Sequence, residues 1–307
     1  LERKFIEDGS YIFGEVLDAD RADELYKEIL KTRKFDSSLF MSEEEYLKNQ
    51  NHLSTNPNAK TTLLNRFEKE LEFFSKDEYI QGFITHFLGD DYVHVIPKVI
   101  CGVPFKALPS WVAKKVENIN VANLGAYIKP QYRDITYFRG IDLHQDIIDW
   151  EEGKTELDPS TFLTIYLYLH SVGKYDAPLH LMPKTHKFGI SKFPHKLQRV
   201  DGNNWKYTDD NNRSMECKDI EIHGNAGFVG AWHSCTLHGT QPVKDESEEA
   251  RISLRFLVGK AKENTNMTAI DRVNASIDGA LKSKVMRDDL RADGKVAKDG
   301  NIINNAY

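Results

Sequence analysis

The chain changes texture near Tyr92, and this change limits the folds open to it more than any other feature. From there on, the runs VHVIPKVICGV, VANLGAYI, TFLTIYLYL, APLHLM, AGFVGAW and RISLRFLVG are short, rich in β-branched and aromatic residues, and divided by Gly, Pro and Asn. Before Tyr92, apolar residues recur at helical spacing instead. Helices followed by a strand-rich body imply an α+β fold with a mainly β core. The expected form is a double-stranded β-helix of the jelly-roll or cupin-like kind, with N-terminal and flanking helices covering one sheet.

Within residues 1–90, three helices are expected. Asp18 or Asp20 caps the first, whose apolar positions Ala22, Leu25, Tyr26, Ile29 and Leu30 share a face. The second runs near Thr61 to Phe74 with Leu64, Phe67, Leu71 and Phe74 on a stripe, and the third from Asp77 to Leu88, ended by Gly89. Residues 91–260 form the β core, in which the polar stretch Asp201 to Lys218, with DGNN and DDNNR, reads as a lid or a surface loop between strands. Residues 261–307 form a polar extension with a helix expected from Ala269 to Val285. No linker divides the sequence, so residues 1–307 are expected to form one domain.

With 40% hydrophobic residues in 307, the chain can bury a sizeable core. A formal charge of −6 gives no general attraction to phosphate backbones or anionic lipid, which argues against a nucleic-acid partner. No apolar stretch approaches the roughly 20 residues a bilayer requires, and the opening LERKFIEDGS lacks the apolar centre of a secretory leader. Cys101, Cys217 and Cys235 show no CxxC spacing, which suggests neither a disulfide framework nor a thiolate zinc site. A soluble intracellular protein is the expectation.

In GIDLHQDIIDW, His144 and Asp146 stand two apart, so an extended strand points both to one face. One further distant His would complete the 2-His-1-carboxylate facial triad, which leaves coordination positions open on Fe(II). His-x-Asp alone is a weak signal, since a strand histidine is more often structural. Downstream, however, His238 ends an apolar run, and Arg251 and Ser253 alternate to one face of the next strand, as a guanidinium fork and hydroxyl binding a carboxylate require. Arg255 shares that face and is the rival clamp. His170, His180, His186, His223 and His233 are rival ligands, each read first as structural or surface histidines.

Four stretches in order, AYIKP, LHQDIIDW, TIYLYLHSVGKYDAPLHLMPKTHK and TLHGT with a following Arg, resemble the phytanoyl-CoA dioxygenase family of 2-oxoglutarate oxygenases. The likeness spans about Val121 to Val258. It implies that His144, Asp146 and His238 hold iron and that Arg251, with Ser253, binds the 2-oxoglutarate carboxylate. Tyr166 stands where the family often has an aromatic beside the co-substrate, Thr240 where a small hydroxyl follows the distal His, and Trp150 where a Trp lies near the active site. Tyr127 is grouped with Tyr166 as a co-substrate candidate, with core packing the alternative for both.

Lys184 replaces the family's usual Gly after Pro183, and the first hundred residues match nothing specific. Because a carboxylate occupies position 146, where halogenating relatives carry a small residue, the resemblance implies hydroxylation, desaturation or ring closure. The cofactors so implied are Fe(II), 2-oxoglutarate and O2. The expected partner is a small molecule, and at a pocket mouth Arg133, Arg139 and Lys129 would bind a carboxylate on it. The alternatives are a cupin-like isomerase holding Zn or Mn and a non-catalytic binding protein of the same fold.

Overall fold

A computed structural model describes residues 1–48, 63–117, 123–146, 159–191, 195–240 and 249–281. Its core is two facing β-sheets. Strands β1 (Ser10–Glu15), β2 (Val93–Gly102), β3 (Thr136–Phe138), β4 (Ile141–His144), β5 (Phe162–Tyr168), β6 (Leu179–Met182), β7 (Lys196–Asp201), β8 (Asn204–Thr208), β9 (Ser214–Lys218), β10 (Ile220–Ile222), β11 (Phe228–His233), β12 (Leu237–Thr240) and β13 (Arg251–Gly259) follow in chain order. The larger sheet has the order β1-β11-β5-β13-β2-β3 and the smaller β10-β6-β12-β4, while β7-β8-β9 make a separate three-stranded sheet. Apart from the parallel pair β2–β3, the strand pairs are antiparallel. This is the double-stranded β-helix expected from the strand pattern.

Period-2 alternation explains how one strand serves both the core and the site. On β13, Ile252, Leu254, Phe256 and Val258 enter the large core beneath the helices, and β5 sends Leu163, Ile165 and Leu167 there too. Their neighbours turn the other way, so that Tyr166, Tyr168 and Trp232 join Ile100, Phe138, Leu179 and Leu181 in the layer between the sheets. A one-residue slip of β13 would exchange the two faces and bring Arg251 and Arg255 into the helix-side core.

The described α-helices are α1 (Glu2–Asp8), α2 (Ala19–Thr32), α3 (Glu43–Lys48), α4 (Glu72–Ser75), α5 (Glu78–Leu88), α6 (Ser110–Val116) and α7 (Ala269–Ala275), with short 3₁₀ turns between elements. Two match the expected boundaries because their ends are chemically marked. The Asp18 carboxylate accepts from the backbone N–H groups of Asp20 and Arg21 to start α2, and Asp77 accepts from that of Ile80 to start α5, which stops at Gly89. Ala22, Leu25, Tyr26 and Ile29 of α2 are buried, as their spacing requires.

Other expectations are corrected. The stretch from Thr61 to Phe74 is a 3₁₀ turn, Leu64–Phe67, followed by the short α4, and neither piece has a side-chain cap to fix a longer helix, while residues 61 and 62 lie outside the described residues. The N-terminal part also contributes a strand, since Gly9 at φ 69° turns the chain out of α1 and lets β1 pair with β11. Asp201 to Lys218 belongs to the β7-β8-β9 meander rather than to an irregular loop, and DGNN and DDNNR are its turns. Trp205 and Tyr207 of β8 do alternate with polar residues in the manner of a half-buried strand, but its partner β7 is exposed along most of its length. The helix expected at Ala269 to Val285 ends at Ala275, and residues from 282 lie outside the described ones.

Candidate metal centre

His238 and His144 are direct partners across β12 and β4 in the smaller sheet. Antiparallel pairing therefore brings two histidines 94 residues apart in sequence to one side of one ladder, with ring centroids 4.3 Å apart. Each is fixed by its own strand. Nδ1 of His144 is 2.8 Å from the Asp142 carbonyl oxygen and Nδ1 of His238 is 3.0 Å from that of Thr236. A carbonyl only accepts, so both Nδ1 atoms carry the proton and both Nε2 lone pairs face outward, as metal ligands require.

Asp146 lies two residues beyond β4 and completes the cluster, in which one ligand atom of each residue lies within 4.8 Å of the others. Its Oδ2 is 3.5 Å from Nε2 of His238. The carboxylate reaches across to the larger sheet, where Oδ2 accepts from Thr164 Oγ1 at 2.5 Å and Trp232 Nε1 at 3.2 Å, and Oδ1 accepts from Arg255 Nη1 at 2.8 Å. Burial alone raises the Asp146 carboxyl, but the charges of His238 and Arg255 outweigh it and hold the group well below the usual carboxylate range. Burial, aided by the His238 charge, pushes His144 down to about 3. His144 thus stands as neutral imidazole beside an ionised carboxylate, protonation states that a divalent cation binds. Two nitrogens and one oxygen on one side suit Fe(II) with open positions better than the closed tetrahedral set of structural zinc.

Between the two ligands, the Gln145 side chain points away, donating to the carbonyls of Gly189 and Cys235 at 2.8 Å each and accepting from Ser191 N at 3.1 Å. It ties the loop after β4 to the turn before β12. Gly239 follows His238 where the two strands approach, and a Cβ there would lie 2.5 Å from the Ile141 carbonyl oxygen. Gly239→Ala is accordingly expected to displace β4, lowering stability by about 1–3 kcal/mol and weakening metal affinity. Thermal unfolding and metal titration of the variant check both effects.

Deeper between the sheets lies Arg251, 1% exposed. Its Nη2 donates to Tyr166 Oη at 2.8 Å, and its guanidinium carbon stands 5.5 Å from the Phe138 ring centre, 5.4 Å from that of Tyr166 and 5.5 Å from that of Tyr168. Among the described residues, Nε and Nη1 of Arg251 and Oγ of Ser253 are buried with no hydrogen-bond partner. Leaving such donors unmade costs about 1–3 kcal/mol each, and more for a charged group. A fixed cation with two unused N–H groups and an adjacent hydroxyl fits an anionic oxygen group, so the residues present suit a dicarboxylate co-substrate. Arg255, the rival clamp, is instead committed to Asp146.

The remaining candidates divide. Tyr166 stands at the clamp, whereas Tyr127 lies in the helix-side core with its ring 5.3 Å from Tyr46 and 5.7 Å from Trp111, the ordinary place of a buried aromatic. The Thr240 hydroxyl accepts from Ile141 N at 2.9 Å and so bridges the β12–β4 irregularity. Lys129 donates to the Ser38 carbonyl oxygen at 2.9 Å, Arg133 Nε to that of Ile128 at 2.9 Å, and the Arg139 guanidinium lies 4.9 Å over Phe105. Trp150 lies outside the described residues. Thr164 and Trp232 were missed, although Thr164, a polar residue inside the apolar run FLTIYLYL, was an available signal. Lys184, in the family's Gly position, adopts φ 72°, the left-handed backbone Gly would take without strain.

The rival histidines are structural. His186 Nε2 lies 3.1 Å from the Ile6 carbonyl oxygen, His170 Nε2 accepts from Ile252 N at 3.1 Å, His233 Nδ1 accepts from Cys235 N at 3.1 Å, and His180 pairs with Asp219 at 2.7 Å. The exposed His223 bonds Glu221. Burial pushes His186 and His195 down to about 3 and His170 and His233 to about 4. Unfolding exposes these groups to solvent, where they take up protons near pH 6.5, so between about pH 6.5 and 4 the unfolded chain binds more protons and stability falls with falling pH. Each contributes about 1.4 kcal/mol per pH unit well inside that window. Thermal midpoints of the metal-free protein are expected to be flat above pH 7 and to drop steeply from pH 6 to 5.

A comparison with curated proteins found no match. Among solved structures, the chain is similar to the non-haem monooxygenase ThoJ in its apo form, with 12% identity, TM-score 0.48, and 84% of this chain and 76% of that one covered. It is also similar to the non-haem α-ketoglutarate-dependent epimerase SnoN from nogalamycin biosynthesis, at 12% identity, TM-score 0.48 and 86% of each chain. HygX from Streptomyces hygroscopicus, with nickel and 2-oxoglutarate bound, gives 11% identity, TM-score 0.47 and 86% of each chain. No helix among the described residues is long and apolar enough to cross a membrane. The sequence model of the phytanoyl-CoA dioxygenase (PhyH) family matches residues 5–251, a span that holds His144, Asp146, His238 and Arg251. The chain belongs to that family and is a non-haem iron, 2-oxoglutarate-dependent oxygenase.

Proposed function

We propose that this oxygenase removes a hydrogen atom from a small-molecule substrate and delivers a hydroxylated, desaturated or cyclised product, converting 2-oxoglutarate to succinate and CO2. His144, Asp146 and His238 hold the iron. Arg251, with Tyr166 and Ser253, anchors the distal carboxylate of 2-oxoglutarate. The observation that carries this assignment is the buried guanidinium of Arg251, whose Nε and Nη1 have no partner among the described residues, on the same strand face as the equally unpartnered Ser253 hydroxyl. A cupin-like isomerase, or a binding protein holding metal alone, has no use for a desolvated cation of this kind.

Iron bound here supplies the oxidising power when 2-oxoglutarate and O2 join it. The protein supplies position. Imidazoles pinned through Nδ1 keep both Nε2 atoms aimed at one point, and the apolar layer of Ile100, Phe138, Leu179 and Leu181 excludes water from the space between the sheets. Arg133, Arg139 and Lys129 remain the candidates for a carboxylate on the substrate.

The test is succinate release triggered by members of a panel of small acids and amines, read together with product mass. A gain of one oxygen identifies hydroxylation, and a loss of two hydrogens identifies desaturation or ring closure. If nothing in the panel raises succinate release above the substrate-free rate although iron and 2-oxoglutarate bind, the oxidation of a small acid or amine is wrong.

A further inference from the structure

Asp146 differs from the other two candidate ligands in how it is held. His144 and His238 sit on the smaller sheet and are oriented by their own strands, whereas, apart from His238 itself at 3.5 Å, the described side-chain partners of Asp146 come from the larger sheet opposite. Its backbone gives one further tie, from N to the Ser234 carbonyl oxygen at 3.3 Å. The three side-chain donors stand on neighbouring strands. Trp232 of β11 pairs directly with Thr164 of β5, and Arg255 of β13 pairs with Tyr166, two residues along β5. They meet on a single carboxylate.

The division between its oxygens is informative. Oδ2, the oxygen near His238, takes neutral donors, a hydroxyl and an indole N–H. Oδ1 takes the guanidinium. A carboxylate has about four lone-pair sites; Oδ2 already accepts from Thr164 and Trp232 and Oδ1 from Arg255, which leaves one site, on Oδ1 beside the guanidinium. A single free site permits a one-oxygen contact with an ion and not a bidentate grip, which is the denticity a facial triad with open positions requires.

We propose that Arg255 is a positioning residue: by pairing with Oδ1 it fixes Asp146 as a one-oxygen ligand and fastens the smaller sheet's metal-binding loop to β13. This rests on the reading of Asp146 as an iron ligand. Arg255 and Arg251 lie on the same face of β13, four residues or about 13 Å of strand apart. One rigid strand thereby sets both the metal carboxylate and the anchor for the co-substrate's far end. The pair is not equivalent: Arg251 is closed in by three aromatic rings and has no described anion, while the Arg255 side chain is 20% exposed and already has one.

The experiment titrates the metal-free protein with Ni(II) by calorimetry, using wild type, Arg255→Met, Arg255→Lys, Arg251→Ala and Asp146→Ala, with circular dichroism as the check on folding. Arg255→Met is expected to weaken Ni(II) binding about 10- to 100-fold, as loss of a residue supporting a ligand does. Arg255→Lys should recover a substantial part of that loss, and Arg251→Ala should bind Ni(II) like wild type. Ni(II) affinity of Arg255→Met within twofold of wild type, or an equal loss in the Met and Lys variants, overturns the role given to the Arg255 charge. If Asp146→Ala itself keeps wild-type affinity, the assignment of the ligand, and not only of its support, has failed.

Discussion

Asp146→Ala is expected to abolish substrate oxidation and to weaken iron binding by at least tenfold. The substitution removes one of the three proposed ligands, and it also strands the groups that held it. Arg255, Thr164 and Trp232 all donate to this carboxylate, so alanine leaves a guanidinium, a hydroxyl and an indole N–H facing a void. The charge balance of the centre changes by one unit at a place where burial makes charge costly. Product formation should fall by a factor on the order of a thousand or more, since residues that act as a unit fail together. Chromatographic assay of product and succinate on a variant with wild-type circular dichroism measures this. Retained oxidation would mean that the carboxylate is not a required ligand.

Arg251→Ala should act on the co-substrate and leave the metal alone. The guanidinium is fixed by Tyr166, enclosed by Phe138, Tyr166 and Tyr168, and carries two unused N–H groups. Truncating one partner of a buried, hydrogen-bonded charge pair costs about 2–5 kcal/mol. That corresponds to a rise of about 30- to several-thousand-fold in the 2-oxoglutarate concentration needed for half-maximal turnover. Arg251→Lys should recover little of it, because an ammonium lacks the planar fork that engages both oxygens of a carboxylate. Kinetics against 2-oxoglutarate, with iron affinity measured separately, test the claim. A parallel loss of iron binding, or an unchanged requirement, would show that the clamp lies elsewhere.

Much of the site was legible in the sequence because period 2 does so much of the positioning. His144, Ser253 and Arg251 could be assigned to faces by counting, and the structure puts Arg251 and Ser253 on the inter-sheet face. Counting along one strand could not show what stands opposite it. Arg255 was read as the rival clamp because it alternates with Arg251, yet Asp146, 109 residues earlier, takes its guanidinium. The partner of Thr164 and Trp232 could not be read for the same reason, since it belongs to the facing sheet.

The fold was readable where residues carry a local signal. Asp18 and Asp77 mark helix starts through their own hydrogen bonds, and Gly89 marks an end. Between Leu64 and Ser75 no such cap exists, and apolar spacing alone suggested one helix where packing of Leu64, Phe67 and Phe74 is met by two short turns. The β7-β8-β9 meander escaped because β7 is exposed along most of its length and shows no alternation to read.

The most direct test of the whole account is the absorbance of the anaerobic protein on sequential addition of Fe(II) and 2-oxoglutarate. A weak visible charge-transfer band should appear only when both are present, be lost in Asp146→Ala, and be restored in Arg251→Ala at high 2-oxoglutarate. A protein that binds Fe(II) yet gives no band at saturating 2-oxoglutarate would contradict an iron centre that chelates the ketoacid.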